Sequence, residues 1–357
     1  MEMAGTGSNG TALGNTTHSE IYQQPGMWLD TLRRLAASPL QVGFPALITG
    51  AGTSYYAALA IEGAWPGARA VASTDLILDL RRYVPEIRTV VSVARSGDSP
   101  ESAGVVQSIQ QAYPETRHIA ITCNAEGKLA RLSGVQTLLL NPRTNDRSLV
   151  MTSSFSNLTL AGILLGRGGR WIEELPPVIA ACEEALPAIE ELAGRVADLG
   201  KTRVAFLASP SLSGAAREAS LKVLEMTAGR VIPLTETYLG LRHGPMSFLK
   251  PEMPVVCFLS SDPSVQRYEL DLIAELRAKG LGFLVGIAPR GVPEDPFDLV
   301  ISTPAQDLPD WLRTPFDIVF AQLLGLHLSL RSGLDPDNPS PGSVITRVVQ
   351  GVTIYGR

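Results

Sequence analysis

The stretch ALITGAGTSYYAALAIEGAW, residues 46–65, decides how the rest of the chain is read. Ala46–Gly50 is a short apolar run, and residues 53–65 then repeat apolar side chains at helical spacing. Between them, Gly50-Ala51-Gly52-Thr53-Ser54 forms a strand-to-helix turn. Glycines in such a turn let backbone N–H groups approach a ligand, and the N-terminus of the following helix favours an anion. The turn is not a Walker motif, because Gly-Lys-Ser/Thr is missing. Nor is it a full G-x-G-x-x-G, since Tyr56 and Ala57 stand where glycine is needed. Serine and threonine are also ordinary helix caps, so by itself this turn leaves both readings open.

The same unit recurs along the chain. Apolar runs at 89–94, 118–123 and 136–140 alternate with helical patterns at 103–112 and 153–165. After Gly166-Arg167-Gly168-Gly169, residues 176–199 read as one acidic connecting helix, interrupted by Pro187. The pattern then restarts with RVAFLASPSLSGAAREASLKVLEM at 203–226, which again reads strand, hydroxyl-rich turn, helix. Further strands are expected at 255–259, 281–286 and 299–302, with helices at 265–279 and 314–331. Alternation of this kind predicts an α/β fold: parallel sheets covered by helices on both faces, with the binding loops along the rim at the strand C-termini. The likeness of the two halves predicts two tandem copies of one domain, at 18–170 and 201–335. A flexible arm (1–17), the connecting helix (171–200) and a C-terminal tail (336–357) complete the division.

Bulk properties narrow the function. A 45% hydrophobic composition excludes wholesale disorder. A formal net charge of −5 argues against a nucleic-acid binder, which needs a basic face. No run of 18 apolar residues is present and the first 17 residues lack the charge and apolar core of a signal peptide, so no membrane association is expected and a cytoplasmic location is. Cys123, Cys182 and Cys257 have no metal-ligand spacing, and two of them lie in apolar runs. An anionic substrate must therefore be held by local geometry.

The loop Ser92-Val93-Ala94-Arg95-Ser96-Gly97-Asp98-Ser99-Pro100-Glu101-Ser102 offers that geometry. Pro100 suits the first turn of a helix and makes Ser99 its N-cap. One cap accounts for one hydroxyl, not for four serines. Neutral hydroxyls with helix N–H groups can satisfy phosphate oxygens without adding charge.

G-x-G-T-S followed some 40 residues later by R-S-G-x-S-P-E-S resembles the sugar isomerase (SIS) domain, a phosphosugar-binding α/β module of flavodoxin-like, three-layer type. The closer resemblance is to the tagatose-6-phosphate ketose/aldose isomerase and galactosamine-6-phosphate deaminase branch. It is carried by His18-Ser19-Glu20-Ile21, Gln24-Pro25, Trp28, MTSSFSN at 151–157, LRHGPMSF at 241–248 and PDNPSPGSVITRVVQGVTI at 336–354. The isomerase half of glucosamine-6-phosphate synthase is similar at greater distance. The resemblance implies a phosphosugar held by Gly52, Thr53, Ser54, Ser96 and Ser99, with help from Arg95 and Ser153. It requires no metal, nicotinamide or flavin.

On the helical pattern at 214–228, Glu218, Lys222 and Glu225 are spaced i, i+4, i+7 and share one face. Spacing alone favours a solvated face carrying an ion pair worth a few tenths of a kcal/mol. The resemblance assigns Glu225 the proton transfer between C1 and C2, with Glu218 and Lys222 as polar neighbours. Among the four histidines, His243 stands apart because Gly244-Pro245 hold it in a turn; His327, in an apolar run, reads as a packing residue. An imidazole suits proton transfer to a hemiacetal oxygen. The resemblance makes His243 the ring opener, acting from the neighbouring subunit of a homodimer. Two departures are visible: Ala94 stands where the synthase has serine, and the synthase's tail lysine has no evident counterpart. Arg347 and Gln350 are the tail residues that could reach a substrate. Deamination, a deglycase or plain isomerase reaction, and a non-catalytic sugar-phosphate sensor all remain open at this stage.

Overall fold

The computed structural model describes residues 14–340, 342, 344–349 and 351–355. Its ten strands are β1 (Ala46–Gly50), β2 (Ala68–Ala72), β3 (Thr89–Ala94), β4 (Arg117–Thr122), β5 (Val135–Leu139), β6 (Arg203–Ala208), β7 (Ile232–Glu236), β8 (Pro254–Phe258), β9 (Phe283–Ile287) and β10 (Leu299–Ile301). Two parallel five-stranded sheets result, ordered β2-β1-β3-β4-β5 and β10-β9-β8-β6-β7. Taken in chain order within each half, both sheets have the order 2-1-3-4-5, the flavodoxin-like arrangement. Each half is therefore the expected α/β unit.

The helices are α1 (Asn15–Tyr22), α2 (Gln24–Ala36), α3 (Thr53–Ala64), α4 (Ser73–Leu78), α5 (Leu80–Tyr83), α6 (Pro100–Ala112), α7 (Ser153–Arg167), α8 (Trp171–Ala197), α9 (Ser213–Met226), α10 (Tyr238–Leu241), α11 (Pro263–Ala278) and α12 (Asp310–Arg331). β1, β3 and β8 are buried along their whole length, as their unbroken apolar runs require when helices cover both faces.

The structure departs from the sequence expectation in three places. β2 (ARAVA) and β7 (IPLTE) were not expected as strands. Both lie at sheet edges and are half-exposed, so they carry no continuous apolar run, and Pro233 is tolerated at an edge. The connecting helix is not interrupted at Pro187: α8 continues through Pro176, Pro177 and Pro187, anchored by buried Leu175, Ile179, Cys182, Leu186 and Ile189. Of the flexible arm expected at 1–17, residues 1–13 lie outside the described residues, and α1 already starts at Asn15 and is tied to the tail; the Asp337 carboxylate accepts from the backbone N–H groups of Thr16 and Thr17 at 3.0 and 2.7 Å. The early motif residues brace the interior. Trp28 Nε1 donates to Ser156 Oγ (2.9 Å), Ser156 Oγ to Gln24 Oε1 (2.5 Å), and Gln24 Nε2 to Gln322 Oε1 (2.8 Å).

The two halves meet where α3 packs on α9. Gly214, in the first turn of α9, makes this approach possible: a Cβ there would lie 2.8 Å from the Ala60 backbone nitrogen and 2.9 Å from the Tyr56 carbonyl oxygen. Backbone cannot swing aside as a flexible side chain can. Gly214→Val is expected to lower unfolding free energy by about 1–3 kcal/mol through overpacking. Because α9 carries Glu218, Lys222 and Glu225, the residues to which the resemblance assigns the proton transfer and its polar neighbours, activity should fall as well. Urea denaturation alongside turnover checks this, and wild-type values for both would show that the helices have room.

Candidate active site

In an open parallel sheet the ligand crevice opens where neighbouring strands send their connections to opposite sides. In the first sheet that point lies between β1 and β3, which pair from Ala46 with Thr89 to Thr49 with Ser92. The loops that follow them are the two hydroxyl loops. Together with the tail they enclose a pocket of about 130 Å³ lined by Ser54, Ser96, Ser99 and Ser102 with Val348 and Val349. Larger concavities elsewhere lie beside Tyr113 at the opposite strand ends and along the outside of α6 from Pro100 onward. The small pocket is the one with convergent hydroxyls.

The second loop is held from behind. Asn124 Nδ2 donates to the Ser96 carbonyl (3.1 Å) and to Asp98 Oδ2 (3.3 Å), and the Lys128 backbone N–H donates to Asp98 Oδ1 (3.1 Å). These bonds turn the Asp98 carboxylate toward the 124–128 segment, sparing an incoming anion the repulsion of a nearby carboxylate. Ser99 caps α6 as expected, accepting from the Ser102 N–H at 3.3 Å, and the two hydroxyls lie 2.7 Å apart. Ser102 thus belongs to the pocket, although of the four loop serines only Ser96 and Ser99 were expected as contacts. Its place one turn into a capped helix was the available signal.

Three of the expected substrate contacts have other partners. Arg95 is buried, and its Nη1 donates to the carbonyls of Ser148, Leu149 and Val150 while Nη2 donates to that of Arg347 at 2.6 Å. Burial, with Arg347 nearby, lowers its guanidinium to about 10. Arg95 therefore ties the tail to the pocket wall. Ser153 is completely buried at the start of α7, with its hydroxyl 3.5 Å from Asn157 Nδ2, and does not line the pocket. Thr53 Oγ1 turns to the second half, donating to Glu218 Oε1 at 3.3 Å and accepting from Lys222 Nζ at 3.2 Å. Gly52, at φ 55° and ψ −129°, makes the turn that sends Thr53 and Ser54 on their separate ways.

The face formed by Glu218, Lys222 and Glu225 is not a solvated one. Glu218 and Lys222 are fully buried and Glu225 is partly exposed. Lys222 Nζ lies 3.3 Å from Glu218 Oε1 and 2.6 Å from Glu225 Oε2. Burial pushes the Glu218 carboxyl up to about 8; Lys222 pulls against this and Glu225 adds to it. Burial also opposes the Lys222 charge, but Glu218 and Glu225 outweigh it and hold the ammonium above its ordinary range. Burial thus favours the protonated form of Glu218, against the pull of the lysinium, and Glu225 lies at the exposed end of the cluster.

A pH dependence of stability follows. Besides Glu218, burial raises Glu20 and Glu269 to about 7. Between their ordinary values near 4.5 and these raised ones, the folded chain keeps protons that the unfolded chain releases. Stability therefore falls as pH rises from about 4.5 to about 8. The urea midpoint is expected to be higher at pH 5 than at pH 8.5, with a shallower fall in Glu218→Gln. A midpoint that rises over that range contradicts the assignment.

His243 joins neither group within one chain. It is exposed, its ring makes no hydrogen bond or ion pair among the described residues, and its backbone N–H donates to the Gly240 carbonyl. In the tail, Arg347 lines the pocket and bonds the Asp146 carbonyl through Nε at 2.6 Å; Gln350 lies outside the described residues.

Known proteins place this geometry. No family model matches the chain. The chain is 34% identical to the D-galactosamine-6-phosphate deaminase AgaS of Shewanella sp. (strain ANA-3), over 95% of this chain and 91% of that protein. It is 33% identical to the D-galactosamine-6-phosphate deaminase AgaS of Escherichia coli, over 96% of each. The crystal structure of tagatose-6-phosphate ketose/aldose isomerase from Escherichia coli matches with a TM-score of 0.85 at 30% identity, covering 96% of this chain and 97% of that one. Glucosamine-6-phosphate deaminase from Thermotoga maritima shares the fold at a TM-score of 0.72 and 21% identity. With such identity over nearly its whole length, the chain belongs to the D-galactosamine-6-phosphate deaminase AgaS family of enzymes, two sugar isomerase (SIS) domains in tandem.

Proposed function

We propose that this chain converts an amino-sugar 6-phosphate, with galactosamine 6-phosphate as the favoured substrate, to a ketose 6-phosphate and ammonia. The observation that carries the reading is the divergence of two consecutive residues. Ser54 lines the hydroxyl pocket, while Thr53 bonds Glu218 and Lys222. A sugar whose phosphate lies against Ser54, Ser96 and Ser99, at the N-termini of α3 and α6, extends toward the acid–base cluster.

The chemistry then follows from the groups present. Once the ring is open, the C1 carbonyl acidifies the C2 proton. Glu225 removes that proton and Lys222, 2.6 Å away, steadies the carboxylate. Return of the proton to C1 of the enolamine gives a C2 ketimine, which water hydrolyses to the ketone and ammonia. Ring opening is assigned to His243 acting across a homodimer on the site of the other copy, which agrees with its exposure and its lack of a side-chain partner within the chain.

The direct test is ammonia release from galactosamine 6-phosphate and glucosamine 6-phosphate, measured side by side. Turnover with preference for the galacto substrate is expected. Binding of both without ammonia or ketose would identify a sensor instead, and isomerisation without ammonia a plain aldose–ketose isomerase.

A further inference from the structure

The second sheet repeats the strand order of the first, so it has its own crevice position between β6 and β8. The two loops leaving that point again carry serines: Ser209 and Ser211 after β6, Ser260 and Ser261 after β8. In the first half none of the pocket serines (Ser54, Ser96, Ser99, Ser102) donates to a carboxylate among the described residues. In the second half all four do. Ser209 Oγ donates to Glu269 Oε1 (2.5 Å) and the Ser260 N–H to Glu269 Oε2 (2.8 Å). Asp310 takes Ser260 Oγ (2.5 Å) and Ser211 Oγ (3.1 Å) on Oδ2, and the Ser261 N–H (2.7 Å) and Oγ (2.8 Å) on Oδ1.

Six donors thus converge on two carboxylates where the first half presents an open pocket. The carboxylates come from the helices expected to frame a ligand. Glu269 lies on α11, which follows the third strand of its sheet as α6 does. Asp310 opens α12, the helix after the last strand, as Ser153 opens α7. Glu269 is fully buried and Asp310 is 9% exposed. Arg313 is shared between carboxylates: its Nη2 lies 2.8 Å from Asp317 Oδ2, while Nη1 donates to the Leu259 carbonyl at 2.7 Å and lies 3.5 Å from Asp310 Oδ1.

We propose that the second crevice is a self-filled anion site. Asp310 and Glu269 occupy the place that a ligand's phosphate takes in the first crevice, so each chain accepts one phosphosugar and the second copy of the domain is committed to carrying the acid–base helix. This deepens the functional reading and rests on the first crevice being the phosphate site.

The test silences the first crevice and empties the second. In a Ser54→Ala, Ser96→Ala background, inorganic phosphate up to about 10 mM is expected to leave the melting temperature unchanged, because the first crevice has lost two of its hydroxyls and those of the second already have their anion. Adding Asp310→Ser and Glu269→Ala frees six donors; phosphate should then raise the melting temperature by several degrees, and chloride at equal ionic strength should not. Should the quadruple variant be unfolded without phosphate, recovery of the fold on adding phosphate counts the same way. A phosphate-dependent shift with Asp310 and Glu269 intact would overturn the proposal, as would none after their removal, or failure to fold with phosphate as without. Ammonia release by the unaltered protein reports separately on the functional reading.

Discussion

Replacing Glu225 with glutamine is expected to cut ammonia release by about 100- to 10,000-fold while leaving phosphosugar affinity within about threefold. Glutamine keeps the size of the side chain and can still accept from Lys222 Nζ, now 2.6 Å from Oε2, so the helix face is not disturbed. It cannot take a proton from C2. The loss should appear in kcat rather than KM, because the group acts in the transition state and the phosphate is held elsewhere. Exchange of the C2 proton with solvent deuterium, followed by NMR, gives an independent readout and should stop with turnover. A variant that keeps full kcat would remove Glu225 from the base role and move attention to Glu218.

Lys222→Met separates catalytic from structural demands more sharply. Removing one partner of a buried ion pair is strongly destabilising where it leaves the other charge buried and unpaired, and otherwise the lost charge simply escapes desolvation. Glu218 does not become a stranded charge, since burial already holds its carboxyl near 8 and loss of the lysine raises it further. Methionine can follow the path of the lysine stem. Stability at pH 6 is therefore expected to stay within about 1 kcal/mol of wild type, while kcat falls at least about 100-fold because Glu225 loses its positioning partner. Denaturant unfolding and ammonia release, measured on the same preparation, decide it. Near-normal kcat would make Lys222 a packing residue, and collapse of stability with activity would make the cluster a structural one.

How much of this was legible beforehand differs by residue. Buried strands such as β1, β3 and β8 announce themselves, because burial on both faces demands an unbroken apolar run. The edge strands β2 and β7 do not, because their exposed positions tolerate Arg69, Pro233 and Thr235. Helix caps were readable from local chemistry alone, as Ser99 and Pro100 show. The i, i+4, i+7 spacing put Glu218, Lys222 and Glu225 on one face, but spacing carries no information on what covers that face.

By itself, then, the sequence determined two α/β units, the hydroxyl loops at their strand-to-helix turns, and one helix face with two carboxylates and a lysine. All of these depend on residues within a few turns of each other. Only the tertiary structure decided which way the polar groups point. Packing of α3 on α9 through Gly214 buries Lys222 and brings Thr53 from the first half onto it. The carbonyls of 148–150 and Arg347 claim Arg95, and Asp310 and Glu269 claim the serines of the second crevice. Those partners are distant in the chain, and a polar group's role is set by the partner that folding delivers to it.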